Sequence, residues 1–201
     1  MSSVNGDTRA KVATNLLHDY GYFNGSVRFE EVRQKNPKTA KVSYIIDMAT
    51  PYYLDSIAYL KFPQVADSLI QTNRKASVLV KGDNFSVIKL EEERQRLSDL
   101  FRNNGFYYYR PEFTTYRADT LLKPGYVSLQ VVQQKGIPAE AQKQYYIGNT
   151  SVYLTGYNDE PPTDTLRLRT MTFYYSGKKP GIRPGSLMRS FFFRKGELFS
   201  Q

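Results

Sequence analysis

Cysteine is absent from this chain of 201 residues, which excludes disulfides, thiolate nucleophiles and cysteine-ligated metals. Tryptophan is absent as well, and His18 is the only histidine. A Ser-His-Asp relay would have to be built on His18, whose acidic neighbour Asp19 points elsewhere on a helix, and histidine-rich metal sites are excluded with it. No apolar run approaches the roughly 20 residues that span a bilayer as a helix, and the start lacks the apolar core of a signal peptide. Any export or anchoring segment of the natural protein is expected outside these residues. Neither a Walker loop nor a Gly-x-Gly-x-x-Gly string occurs, so no nucleotide cradle is expected. Gly177 to Gly181 and Gly181 to Gly185 each enclose one residue too many for a KH loop, and no RRM-type aromatic signature is present. The carboxylates at Glu30-Glu31 and at Glu91 to Glu93 are neighbours along one element and do not converge on one bond. The triple Glu reads as a solvated helix face. The expectation is a protein that is not an enzyme, with no cofactor and no metal.

What is present is aromatic and basic. Hydrophobic residues make up 40% of the chain and aromatics 14%, with 17 Tyr against 12 Phe. That supply suffices for real cores, and tyrosine suits half-exposed sheet faces where the ring is buried and the hydroxyl stays wet. The net charge of +9 is unevenly placed. The stretch from Leu166 to Lys195 carries Arg167, Arg169, Lys178, Lys179, Arg183, Arg189, Arg194 and Lys195 with no acidic residue. A stretch of this kind can follow the phosphates of nucleic acid or an anionic lipid surface, or can simply be the solvated face of a module.

Three short strings recur in the same order. Lys81-Gly82-Asp83-Asn84-Phe85-Ser86 returns as Lys195-Gly196-Glu197-Leu198-Phe199-Ser200, displaced by 114 positions. Tyr52-Tyr53-Leu54 returns as Tyr145-Tyr146-Ile147, and Asp19-Tyr20-Gly21-Tyr22-Phe23 as Asn103-Asn104-Gly105-Phe106-Tyr107. Such self-similarity signals repeated structural units. Residues 8–20 carry Val12, Leu16 and Tyr20 at helical spacing, and Gly21 reads as a left-handed stop. Strands follow around Val27 and Phe29 and around Val42, Tyr44 and Ile46, with an Asn36-Pro37-Lys38 turn between them. The next copy begins with a β-rich run from Tyr52 to Leu60. It continues with a short helix at Val65, Leu69 and Ile70, and a polar loop from Lys81 to Asn84 leads to a cap at Ser86. A longer helix carries Leu90, Leu97, Leu100 and Phe101 and stops at Asn103-Asn104-Gly105. A hairpin then runs from Tyr107 to Arg117 and from Val127 to Gln133 around Lys123-Pro124-Gly125. A third copy opens at Tyr145. Asn158 to Asp164, with Pro161 and Pro162, reads as a surface loop or insertion, and Ser186 to Phe193 as a helical region.

The expected architecture is α+β, built from modules in the order β-α-α-β-β. Residues 1–50 supply the C-terminal part of one module (helix and hairpin), 51–137 a complete one, and 143–201 the N-terminal part of a further one with an insertion at about 156–172. The chain is expected to be a stretch of a longer array. Asp47 to Pro51 is a short, stiff connection, whereas Lys135 to Lys143 allows more play.

A module of this order, with a helix ending in Gly-Tyr/Phe before a hairpin, resembles the POTRA (polypeptide-transport-associated) domain. The strings Lys81 to Ser86, Glu93-Arg94-Gln95-Arg96-Leu97 and Asn104-Gly105-Phe106-Tyr107-Tyr108-Tyr109 resemble those of POTRA arrays in BamA/TamA-type outer-membrane protein assembly factors, above all the TamA-like proteins of Bacteroidetes. The resemblance implies two helices packed on a three-stranded mixed sheet. It also implies a location on the periplasmic side of the outer membrane, ahead of a C-terminal β-barrel of the same full-length chain that is absent from these residues. The implied partners are unfolded outer-membrane β-barrel proteins, accessory periplasmic or lipoprotein subunits and an anionic membrane surface, with no nucleic acid expected.

In such a module a sheet edge can template a client strand by β-augmentation, a mode that tolerates many sequences. The strand after Gly105, centred on Glu112, Phe113, Thr114, Thr115, Tyr116 and Arg117, is the expected client-binding edge, limited by Pro111, which has no N–H to give. The alternative is a basic module binding nucleic acid or anionic lipid through residues 166–195, with Arg167, Arg169, Lys178, Lys179, Arg183 and Arg189 as its surface. A third alternative is a POTRA-like module of another barrel system, such as two-partner secretion or division-site assembly.

Overall fold

The computed structural model of the chain describes residues 5–34, 40–155 and 161–201. The Asn36-Pro37-Lys38 turn, and residues 158–160 of the loop expected before Asp164, lie outside them. The chain clusters into two compact units, one of Met1–Leu100 with Arg110–Ile137 and one of Phe101–Tyr109 with Pro138–Gln201.

The first unit opens with helix α1 (Gly6–Asp19) and the antiparallel pair β1 (Ser26–Arg33) and β2 (Ala40–Asp47). Asn5 caps α1, its side-chain oxygen accepting from the Thr8 N–H at 3.2 Å, which satisfies one of the helix's orphan donors. Thr14 ties the hairpin to the helix, since its hydroxyl accepts from the Val27 N–H at 3.1 Å. Val27 pairs with Ile46 and Phe29 with Tyr44, so these four side chains share one sheet face.

A mixed sheet follows. Strand β3 (Tyr53–Leu60), helix α2 (Gln64–Thr72), helix α3 (Val87–Arg102), and strands β4 (Thr114–Asp119) and β5 (Tyr126–Gln133) come in that order. The strands lie as β3-β5-β4, with β3 parallel to β5 and β4 antiparallel to it. A parallel pair needs a crossover, which α2 and α3 provide. The α+β class and the helices packed on a three-stranded mixed sheet therefore match the expectation. Leu54, Ile70, Leu97, Val127, Leu129 and Val131 form the fully buried centre.

Two expectations need correction in this unit. Glu112 and Phe113 are not in a strand; they belong to a 3-10 turn at Pro111–Phe113, and β4 starts at Thr114. Proline fixes φ near the helical value and gives no N–H to a ladder, so pairing cannot extend back through it. Glu93 does not lie on a solvated face but is completely buried.

The second unit contains a one-turn 3-10 helix at Ala139–Gln142, strands β6 (Thr150–Leu154), β7 (Asp164–Leu168) and β8 (Met171–Tyr175), and helix α4 (Pro184–Arg189). The connection expected to be loose thus carries a turn of its own, with Ala141 buried. The strands lie as β6-β8-β7, β6 parallel and β7 antiparallel to β8. Residues 164–168 and 171–172 of the stretch read as an insertion lie in this sheet, and Phe173 is the sheet's fully buried residue. The alternation Leu166-Arg167-Leu168-Arg169 was the signal for it. Helix α4 is shorter than the expected Ser186 to Phe193 at one end, and Phe191 to Phe193 lie beyond it.

Candidate functional site

The candidate client edge is β4, whose only strand partner among the described residues is β5. Arg117, Ala118 and Asp119 are exposed, whereas Thr114 is buried. Tyr116 anchors the strand to α3. Its hydroxyl donates to the Leu90 carbonyl at 2.6 Å, and the Arg94 guanidinium lies 5.4 Å from its ring centre. Burial, with the Glu93 charge adding to it, pushes the Tyr116 phenol well above its ordinary pKa, so the hydroxyl stays a donor at any physiological pH. The edge is thus a strand anchored to helix α3 through Tyr116.

Beneath it lies a polar cluster that the sequence reading missed. Arg96 donates to both Glu93 carboxylate oxygens, at 2.6 and 2.9 Å. The Val78 N–H donates to the same carboxylate at 3.0 Å, and so does the Tyr59 hydroxyl. Burial works to raise the Glu93 pKa, but the charge-assisted bonds from Arg96 and the bond from Tyr59 outweigh it and hold the carboxyl below its ordinary value. Tyr59 is pushed up to about 12, by burial first and by its bond to Glu93 second. Helix α3, strand β3 and the segment at Ser77 to Leu79 are joined through this one carboxylate. Its legible signal was spacing, since Glu93 lies three residues after Leu90 and four before Leu97, within the apolar stripe. The cluster satisfies its own donors and acceptors, and it is structural.

The three recurring strings meet in space, and they do so twice. In the first unit, the Tyr52 N–H donates to the Gly21 carbonyl at 2.9 Å and the Phe85 N–H to the Tyr52 carbonyl at 2.8 Å. The Leu54 N–H donates to the Asp83 carbonyl at 2.8 Å, and the Gly82 N–H to the Leu54 carbonyl at 2.7 Å. In the second unit the same four bonds recur: Tyr145 to Gly105 at 2.7 Å, Phe199 to Tyr145 at 2.9 Å, Ile147 to Glu197 at 2.8 Å and Gly196 to Ile147 at 2.8 Å. The rings repeat too. Phe23 lies 5.0 Å from Tyr52 and 5.2 Å from Phe85, and Tyr107 lies 6.4 Å from Tyr145 and 4.8 Å from Phe199. Glycine is required at each helix stop. Gly21 has φ +87° and Gly105 φ +91°, and a Cβ on either would come within 2.6 Å of an atom of the docked loop. The echo is therefore a joint: a helix terminus, an incoming strand and a loop bonded as one piece.

The six basic residues Arg167, Arg169, Lys178, Lys179, Arg183 and Arg189 are all exposed, spread over β7, the β7–β8 turn, the β8–α4 loop and α4. None takes part in an ion pair among the described residues. Among the described residues, no group of acidic or histidine side chains could hold a metal ion, and no helix is long and apolar enough to cross a membrane.

No family model matches the chain and no curated protein sequence matches it. Solved structures do. The chain is similar to POTRA domains 3–5 of BamA from Haemophilus influenzae, at 8% identity and a TM-score of 0.44 over 96% of this chain and 63% of that one. It is similar to BamA from Haemophilus ducreyi lacking POTRA domains 1–3, at 14% identity and a TM-score of 0.42, over 74% of this chain and 26% of that one. It is also similar to POTRA domains 1–3 of the periplasmic part of Omp85 from Anabaena, at 15% identity and a TM-score of 0.30, over 96% of this chain and 65% of that one. The chain spans less than two thirds of each.

Proposed function

We propose that the chain is a run of POTRA modules from a BamA/TamA-type outer-membrane protein assembly factor, acting as a periplasmic scaffold rather than an enzyme. It receives extended, unfolded β-barrel clients by strand addition and docks accessory subunits. The observation that carries this reading is the mixed sheet β3-β5-β4 with β4 on its open edge. Main-chain pairing there would recognise an extended chain without demanding one sequence. The twice-built joint supports an array of similar modules, each strand starting from the helix stop of the module before it. The client contacts fall on Thr114, Thr115, Tyr116 and Arg117, with Glu112 and Phe113 forming the turn at one end. The test is a titration of the isotope-labelled chain with an extended peptide of the kind that ends outer-membrane barrel strands. Amide shifts concentrated on residues 114–119 are expected. Shifts elsewhere in the chain would remove the site, and their absence at millimolar peptide would remove client binding.

A second reading rests on the six exposed basic residues of 167–189, none of which takes part in an ion pair among the described residues. They suit an anionic surface, which for a scaffold beside a membrane means lipid headgroups. Binding to liposomes containing acidic lipid is expected at low salt and should fall steeply as salt rises. Binding that persists unchanged at high salt would exclude an electrostatic origin.

A further inference from the structure

The mixed sheet β3-β5-β4 has two outer strands, β3 and β4, and they are treated differently. On β4, Arg117, Ala118 and Asp119 are exposed. Strand β3 is obstructed from both ends. At its start, Tyr53 forms an antiparallel bridge with Asn84. The Leu54 N–H donates to the Asp83 carbonyl, and the Leu54 carbonyl accepts from the Gly82 N–H. The register shifts at Asp55, between Leu54 and Ser56, which breaks the even ladder that an added strand would follow. At the far end, Lys61 has φ +65°, so the extended run stops at Leu60. What remains is a stretch from Ser56 to Leu60, and Arg74 covers its middle. The Arg74 guanidinium donates to the Ile57 carbonyl at 2.7 Å and lies 4.2 Å from the centre of the Tyr59 ring. The arginine is held from behind: it opens the 3-10 turn Arg74–Ala76 directly after Asn73, which ends α2. Asn73 bonds back to the Leu69 carbonyl through its N–H at 3.1 Å and its side-chain amide at 3.0 Å. The Tyr59 ring is fixed in turn by its hydroxyl, 2.9 Å from the Ser77 hydroxyl.

We infer that Arg74 is the specificity-determining residue that confines strand addition to β4, by occupying on β3 the acceptor and the space that an added strand would need. An incoming strand must find main-chain acceptors for its N–H groups about 4.8 Å from β3. At Ile57 the acceptor is already taken by a charged donor, and a guanidinium offers the newcomer only further donors and no acceptor of its own. To enter, the strand would also have to lift the cation from the Tyr59 ring. The obstructions at Tyr53 to Asp55 and at Lys61 are made by the main chain, whereas this one is made by a side chain. A single substitution therefore removes it. Covering one edge while leaving another free is how a sheet chooses where it is extended. The inference rests on the strand-addition reading of β4 for which edge is used, and adds what keeps β3 unused.

The experiment uses the 201-residue chain, isotope-labelled, and the same extended barrel-strand peptide, on the parent, Arg74→Met and Arg74→Lys. Methionine keeps an unbranched apolar stem and removes the donors; lysine keeps a cation that can reach the ring and the carbonyl. The parent should show amide shifts at residues 114–119 and none at 56–60. Arg74→Met should add a second saturable set of shifts at 56–60, with a second peptide bound per chain, and Arg74→Lys should behave as the parent. An arginine with a structural role alone would lower stability in both variants and open a new edge in neither. Shifts at 56–60 in the parent would overturn the inference. So would their absence in Arg74→Met at millimolar peptide, whatever happens at β4. Shifts at 56–60 in Arg74→Met with none at 114–119 in any form would instead remove the β4 site and leave the closure by Arg74 standing. Arg74→Ala is read in the same way if Arg74→Met does not fold.

Discussion

Strands β2 and β5 occupy the same position after a helix and an antiparallel partner, yet their helix-facing side chains have opposite fates. Tyr44 and Ile46 remain 37% and 57% exposed, while Leu129 and Val131 are buried. The side chains do not explain it, since both strands alternate aromatic or aliphatic residues with polar ones. The difference is the presence of β3 and α2 beside β5. A hairpin with one helix covers only part of its apolar face, and the face closes when a third strand and a second helix arrive. The same contrast holds for charge. Lys11 pairs with Asp7 on the exposed surface of α1, while Arg96 pairs with Glu93 in the buried floor of the complete module, at nearly the same helical spacing.

The sharpest break of this comparison is expected at Glu93. Glu93→Ala leaves Arg96, Tyr59 and the Val78 N–H without their shared acceptor, and loss of one partner of a buried pair costs about 3–5 kcal/mol. Urea unfolding monitored by far-UV dichroism would measure it, and a loss below about 1 kcal/mol would show the cluster to be dispensable. The same group sets an acid response. Its folded pKa is lowered, so its contribution is present above the ordinary carboxylate pKa of about 4.3 and is lost as pH falls through the lower folded value. Glu93→Gln should therefore flatten the fall in stability below about pH 4 relative to the parent chain. Tyr59 acts at the other end: its raised pKa makes its contribution complete below about pH 10, and it is lost as pH climbs toward about 12.

Leu129→Ala should cost about 2–5 kcal/mol through the cavity it leaves, whereas Ile46→Ala should cost less than about 1 kcal/mol because the side chain is already largely in water. Equal losses in denaturant titrations would mean that β2 is covered in solution. The two joints offer a finer contrast. An alanine Cβ at position 21 would meet the Phe85 backbone oxygen, and one at position 105 the tip of the Leu198 side chain. Both substitutions carry left-handed strain of about 1–3 kcal/mol, but a backbone atom cannot move aside as a leucine methyl can. Gly21→Ala should lower the melting temperature more than Gly105→Ala. The smallest effect is expected at the surface pair, where Asp7→Asn should change stability by less than about 0.5 kcal/mol.

Much of this fold was readable along the chain. The stop at Gly21, the strand after Pro51, the turn at Gly125 and the order β-α-α-β-β rest on local physics: glycine at positive φ, proline at element ends, and period-two alternation. The recurrence of Lys81 to Ser86 was readable as well, although its role was not. It promised a helix lead-in and proved to be one arm of a joint whose other arms, at Gly21 and at Tyr52 to Leu54, lie far back along the chain. Glu93 was misread for a related reason. Three consecutive glutamates look solvated until the stripe of Leu90 and Leu97 is seen to pass through one of them. Strand β7 is masked by its own charge, because arginines beside Leu166 and Leu168 give the segment the composition of a basic surface although its period of two is that of a strand.

The sequence by itself determined the local conformations and the repetition of units, since both depend on residues within a few positions of one another. Only the tertiary structure decided which apolar faces are closed and which strings meet. It decided that Glu93 is inside and Ile46 outside, and that β4 is an edge while β5 is not. Burial depends on which elements happen to be neighbours, and that is a property of distant pairs that no local pattern contains.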